Sequence, residues 1–240
     1  MSDVVRKTLS ALGIEGANEK ADLLMRYKAG VLEWNNKVNL TTIYEYDFAV
    51  KHIADSLMIA GEECMREASL IMDIGTGAGF PGVPLAVAFP DRQFVLVDSL
   101  NKRVNIIRET VDNLGISNVR TVHSRAEDLG RSRKWRESCD LVISRAVANL
   151  SVLSEYCLPL VKVSGYFAAF KGPESVHEIE EARKAVDILG GGGPVSVVPE
   201  TANAISEYDL DHRLVIIKKE KSTPKKFPRK AGTPARDPLG

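Results

Sequence analysis

From residue 70 onward, short apolar runs alternate with amphipathic stretches, and no other feature of this 240-residue chain restricts its fold so tightly. The runs are LIMDIG (70–75), QFVLVD (93–98), VRTVH (119–123), DLVIS (140–144), GYFAAF (165–170), VSVV (195–198) and HRLVIIK (212–218). Most are continuously apolar, as strands covered on both faces are, so they predict a mostly parallel sheet flanked by helices. Between them, NKRVNIIRETVDNLG puts Val104, Ile107, Val111 and Leu114 on one helical face and ends on Gly115 as a cap. The expected class is therefore α/β, a Rossmann-like, doubly wound sheet of seven strands. Helices are expected to cease after residue 190, where GGGGP leads into two runs that read as an antiparallel pair. Residues 1–68 carry apolar positions at helical spacing and read as an N-terminal helical cap before a core at 69–218. Residues 219–240, with Pro, Lys and Gly throughout, carry no secondary-structure signal.

Formal charge is zero, which taken alone argues against a nucleic-acid partner. The balance hides an asymmetry, because residues 218–240 hold 8 basic and 2 acidic side chains. Such a strip contacts phosphates or simply keeps a tail solvated. Three cysteines without metal-ligand spacing indicate neither a disulfide framework nor a zinc site. With no secretory signal and no membrane-spanning apolar run, the expected location is the cytoplasm, with no membrane partner.

The segment DIGTGAGFPG (73–82) follows the first strand and precedes an apolar helix, roughly Val83 to Phe89. In an open α/β sheet, ligands bind at that place. Gly75, Gly77 and Gly79 allow a tight turn whose N–H groups are expected to touch the ligand. Gly77-x-Gly79-x-x-Gly82 also satisfies a dinucleotide fingerprint, and Asp98, at the end of the next strand, suits any ribose. Asp73 separates the two ligand classes: a carboxylate beside the loop favours a cationic sulfonium donor and repels a pyrophosphate.

The ordered set WNNKVNLTTI, KHIADSL, DIGTGAGFPGVPLA, VDSLNKRVNII, SRAEDL, DLVISRAVANL, Lys171-Gly172 and PRKAGTPARDPL spans nearly the whole chain. It resembles the bacterial small-subunit ribosomal RNA methyltransferase G family, also called glucose-inhibited division protein B. The resemblance implies a class I S-adenosylmethionine-dependent methyltransferase that modifies N7 of one guanine in 16S rRNA. Seven strands ending in an antiparallel pair are also similar to the methyltransferase sheet. In that family the loop binds S-adenosylmethionine, which carries over to Gly75 and Phe80 and is extended here to Asp73 and Gly77. The family's adenine contact maps onto Ala126 and Glu127, and its arginine after the fourth strand onto Arg145. Asp98 takes the ribose role by position. The implied partner is 16S rRNA or the small ribosomal subunit, met by a monomer.

For the RNA side the candidates are Arg145, Lys171, His52, Asp55, Asn39 and, in the basic tail, Arg229 and Lys230. His52 and Asp55 lie three apart on one expected helix face, where they either pin the cap or line the substrate entrance. Arg131, Arg133, Lys134 and Arg136 surround Trp135, a group that grips RNA or forms a solvated loop. Guanine N7 has a free lone pair and no proton, so no catalytic base and no metal is expected, only positioning. The rivals are a methyltransferase for protein or small molecules, a nicotinamide-dependent oxidoreductase, and a non-enzymatic ribosome-associated protein.

Overall fold

The computed structural model describes residues 2–38, 40–42, 47–145, 147–172, 175–199 and 213–240. The apolar runs become seven strands: β1 (Leu70–Ile74), β2 (Gln93–Asp98), β3 (Val119–His123), β4 (Cys139–Arg145), β5 (Val161–Lys171), β6 (Val195–Val197) and β7 (Arg213–Lys218). Their order in the sheet is β3-β2-β1-β4-β5-β7-β6. The first five are parallel, and β7 runs antiparallel between β5 and β6.

Strand alternation assigns each side chain to one of two cores. Ile71, Phe94, Leu96, Leu141, Ile143, Ala168 and Phe170 join one apolar cluster, while Met72, Ile74, Val95, Val97, Val142, Phe167 and Ala169 join the other. The first cluster also takes in Val5, Leu9, Leu24, Tyr27 and Val31, so helices α1 (Ser2–Ala11) and α2 (Ala17–Asn35) share their core with the sheet. Helix α2 packs on α4 (Gly82–Ala88) and α5 (Asn101–Asn113). The opposite face carries α6 (Ala126–Arg131), α7 (Leu150–Cys157) and α8 (Ser175–Ile188).

Three expectations change. The segment holding His52 is a π-helical turn, Ala49–Ala54, followed by a 3₁₀ turn, Leu57–Gly61, and the short helix α3 (Glu63–Arg66), not a regular α-helix. Helices do not end at residue 190, because Thr233–Arg236 forms α9 after the positive-φ Gly232. The tail is also ordered against the body: Phe227 is buried in the second cluster, and Arg136 donates to the carbonyls of Phe227 (2.8 Å) and Thr223 (2.6 Å). Main-chain acceptors give such a segment no sequence signature. Residue 212, expected to open the last strand, lies outside the described residues.

Candidate functional site

The carboxyl ends of β1, β2 and β4 meet at the glycine loop, as their register requires: Ile74 lies beside Val97 on one side and Ser144 on the other. The loop is built by its own neighbours. Gly75 and Thr76 donate to the Val97 carbonyl, Gly79 and Phe80 to that of Thr76, and Gly77 N–H to Asp98 Oδ2 at 3.1 Å. The expectation that these N–H groups serve a ligand is therefore corrected; the protein uses them to fix the turn.

Asp73 is corrected likewise. Its side chain is 1% exposed, with Oδ2 accepting from Thr76 Oγ1 (2.7 Å) and Gly82 N–H (3.0 Å), so it organises the loop from beneath instead of facing a donor. Its other oxygen, Oδ1, is buried without a hydrogen bond, and burial pushes the group up to about 6 despite those two donors. The chain's N-terminal part enters here too, because the Tyr27 hydroxyl donates to the Ala78 carbonyl at 2.8 Å. A Cβ at Gly79 would collide with that hydroxyl, whereas one at Gly77, φ +59°, would meet nothing nearer than the Gly75 carbonyl at 4.0 Å. The loop is thus closed beneath Gly79 and open over Gly77.

Two cavities flank the loop and share Gly75. The smaller, about 200 Å³, is lined by Asp98, Ser99, Arg125, Ala126, Glu127 and Tyr156 among others. Asp98 is held at its edge by accepting from Gly77 and, through Oδ1, from Leu100 N–H at 2.8 Å. The larger, about 510 Å³, is lined by Thr41, His52, Gly77, Phe80, Arg145 and Phe170 among others. Val147, 40% exposed, sits against Gly75 in the lining of the smaller cavity. An open glycine, a ribose-competent carboxylate and two cavities on either side of one loop fit an extended nucleoside donor with a charged amino-acid end.

The wall of the larger cavity is a linked set. Arg145 Nη1 pairs with the fully buried Asp55 at 2.6 Å, and Nη2 approaches His52 Nδ1 at 2.9 Å. A guanidinium only donates, so His52 Nδ1 accepts, and the ring proton belongs on Nε2, 2.7 Å from Thr41 Oγ1. The imidazole also stacks on Phe80, centroids 4.4 Å apart and planes at 10°. Burial first, then the Arg145 charge, push His52 down to about 3, so the ring is neutral at ordinary pH. The wider π turn lets His52 and Asp55 reach one guanidinium.

The remaining candidates separate. Ala126 and Glu127, the adenine contact that the resemblance implies, line the smaller cavity. Lys171 reaches the rim of the larger one but is paired with Glu178 at 2.6 Å and bonded to the Ala148 carbonyl, so the expected free phosphate contact is corrected. Arg229 is likewise no RNA contact: its fork grips the buried Glu155 at 2.7 Å and also meets Asp237. Arg131 and Arg136 hold tail carbonyls instead of a nucleic acid. Lys230 is exposed, and Asn39 lies outside the described residues. Sequence reasoning missed Tyr27, Thr41, Glu155, Glu178 and Arg103, which lines the larger cavity 3.7 Å from Asp98 Oδ2. Only Glu155, a lone acid in the apolar LSVLSEYC, carried a signal.

The sequence model of one protein family, described as rRNA small subunit methyltransferase G, matches residues 20–203. A protein called ribosomal RNA small subunit methyltransferase G from Clostridium novyi (strain NT) is 46% identical over 99% of this chain and 96% of its own. One of the same name from Alkaliphilus oremlandii (strain OhILAs) is 43% identical, covering 100% and 99%. Among solved structures, a SAM-dependent O-methyltransferase from Thermotoga maritima aligns with TM-score 0.51 and 14% identity over 81% of this chain and 72% of that one. A methyltransferase from Geobacter sulfurreducens aligns with TM-score 0.52 and 15% identity over 80% and 89%. Both likenesses bear on the fold.

Proposed function

The chain belongs to the rRNA small subunit methyltransferase G family, and from that premise we propose that it methylates N7 of one guanine in 16S rRNA, with S-adenosylmethionine as donor. The observation that carries the assignment of parts is the pair of cavities that share Gly75 over the strand ends. In this reading Asp98 holds the ribose, Ala126 and Glu127 the adenine, and Gly75, Gly77 and Phe80 border the methionyl end. The guanine enters the larger cavity between Arg145, Phe80 and Phe170. The donor supplies a methyl group on a sulfonium, ready for direct displacement.

What the chain's own residues do is orient and balance charge. Guanine N7 needs no base, and His52 is not arranged as one: its Nδ1 is taken by Arg145 and its Nε2 by Thr41. A neutral His52 and an Arg145 paired with Asp55 keep this stretch of the wall from adding an unbalanced positive charge. Such a wall tolerates a purine that becomes cationic on methylation. In the same reading Lys230 and Arg125, both exposed, meet backbone phosphates. Asn39 belongs to the RNA side in the same reading.

Residues 1–68, 69–218 and 219–240 serve as cap, core and tail of one functional unit. The protein is read as acting as a monomer. No helix among the described residues is long and apolar enough to cross a membrane. A ribosomal substrate places the reaction in the cytoplasm.

The test incubates purified protein with radiolabelled S-adenosylmethionine and small ribosomal subunits from cells lacking this gene, then maps N7 methylation by borohydride and aniline cleavage. Label at a single guanine that disappears with Asp98→Ala is the expected result. Donor binding without label on rRNA would overturn the acceptor assignment.

A further inference from the structure

The tail has a second end-point besides its anchors. It leaves β7 at the buried Lys219, whose Nζ donates to the Leu158 carbonyl (2.5 Å) and Thr223 Oγ1 (2.6 Å). It then passes Gly130 and Arg131 at the carboxyl end of α6, with Arg131 Nε donating to the Pro228 carbonyl at 2.9 Å. Arg229 fixes its middle on Glu155 of α7. Beyond that anchor, Gly232 N–H donates to Glu127 Oε1 at 2.8 Å, at the first turn of α6. The segment therefore runs alongside α6 from its last turn to its first and ends on a carboxylate that lines the smaller cavity. Among the described residues, Glu127 Oε2 accepts no hydrogen bond, which leaves one oxygen of a fixed carboxylate for a ligand donor.

We propose that the C-terminal segment is a positioning strap for the donor site: Gly232 N–H fixes Oε1 of Glu127 so that Oε2 accepts from the exocyclic amine of the adenine. The inference rests on the donor-site reading above and adds to it a positioning role for residues that touch no donor atom. An unrestrained glutamate on the first turn of a helix samples several rotamers, and selecting one of them in advance improves affinity by removing an ordering cost on binding.

The test measures binding of S-adenosylhomocysteine by calorimetry, together with the unfolding midpoint, in the full chain and in two variants. Arg229→Lys keeps a cation against the buried Glu155 but gives up the fork that also reaches Asp237. Gly232→Val places a β-branched residue at φ +80°, where the side chain itself meets open space, so its effect is on the local backbone that carries the N–H. Each variant is expected to weaken S-adenosylhomocysteine roughly threefold to tenfold, the scale of one hydrogen bond. Neither is expected to weaken S-inosylhomocysteine, which lacks the amine, and neither adds to the loss caused by Glu127→Ala.

Unchanged affinity in both variants would overturn the strap while leaving the donor site intact. So would losses that add to Glu127→Ala or that are equally large for the inosine analogue, because a merely structural tail would affect both ligands alike. Failure of the unmodified chain to bind S-adenosylhomocysteine would overturn the donor-site reading itself, and the strap with it.

Discussion

Both ends of the chain reach the region around the glycine loop, and they hold it by opposite means. The N-terminal part works from inside the core: Tyr27 is fully buried beneath Ala78, and Asp55, also fully buried, holds Arg145. The C-terminal part anchors itself on the buried Glu155 and through Phe227, and reaches the smaller cavity only by an outer stretch, from Arg229 to Gly232, that lies nearer the surface. A hydrogen bond made in the core cannot be exchanged for water without opening the fold, whereas one at the surface can. The N-terminal grip thus ties the shape of the larger cavity to global stability. The C-terminal grip can loosen at the smaller cavity while the sheet stays folded.

Asp55→Asn is the most severe way to break that contrast. It leaves Arg145 without its anion, 11% exposed, and should cost about 3 kcal/mol or more in urea unfolding, since opening a buried pair from one side exposes the full desolvation penalty of the other. A cost near that of a surface pair, below about 1 kcal/mol, would make the two grips equivalent. Tyr27→Phe comes next. Losing its bond to the Ala78 carbonyl in the core should cost about 1–2 kcal/mol and loosen the loop, read as faster hydrogen exchange at Gly79 and Phe80.

Acidity sharpens the picture within the buried grip, because two of its groups respond with opposite sign. Asp73 has a folded value near 6 against 3.8, so the stability it contributes is full below 3.8 and is lost as pH rises through about 6. His52 has a folded value near 3 against 6.5, so its contribution is full above 6.5 and is lost as pH falls toward about 3. Asp73→Asn should make stability climb more steeply with pH between these limits than it does in the unmodified chain. His52→Gln should flatten or reverse the climb. Identical slopes for all three chains, measured by chemical unfolding across the window, would show that neither group is buried in the folded state as described.

The smallest effect distinguishes the outer grip. At about 1 M salt, where charges are screened within about 3 Å, the pairing of Arg229 with Asp237 should weaken by no more than about 1 kcal/mol. Amide exchange at Gly232 should quicken accordingly, while exchange at Gly79 stays unchanged. Equal responses at both amides would erase the distinction.

Much of this was legible in the sequence where one local pattern had one physical meaning. Continuous apolar runs meant strands covered on both faces, and Asp98 announced itself by standing at the end of the strand after the glycine loop. Ala126 and Glu127, which the family resemblance assigned to the adenine, line the smaller cavity. What stayed hidden were pairings across long stretches of chain. Tyr27 looks like any other apolar-face residue of α2, and nothing near it marks a hydroxyl aimed at residue 78. Lys171 was read by its charge and its place after the fifth strand and Arg229 by the basic tail, so their carboxylate partners, Glu178 and Glu155, turned two expected RNA contacts into internal ones. Asp73 was legible as important and misread in direction, because a carboxylate that supports a turn from below and one that faces a ligand leave the same letters.

The place of β7 has a consequence for how the protein is made. Since β7 lies between β5 and β6, the strand at Val195–Val197 has its sheet partner, among the described residues, only in Arg213–Lys218, which leaves the ribosome later. The sheet therefore cannot be completed in the order of synthesis: β1 to β5 can assemble while translation continues, but β6 must wait for a neighbour not yet made. Cutting a message short before codon 213 would leave the five parallel strands with the flank of β5 uncovered, a sticky edge of the kind that recruits other chains.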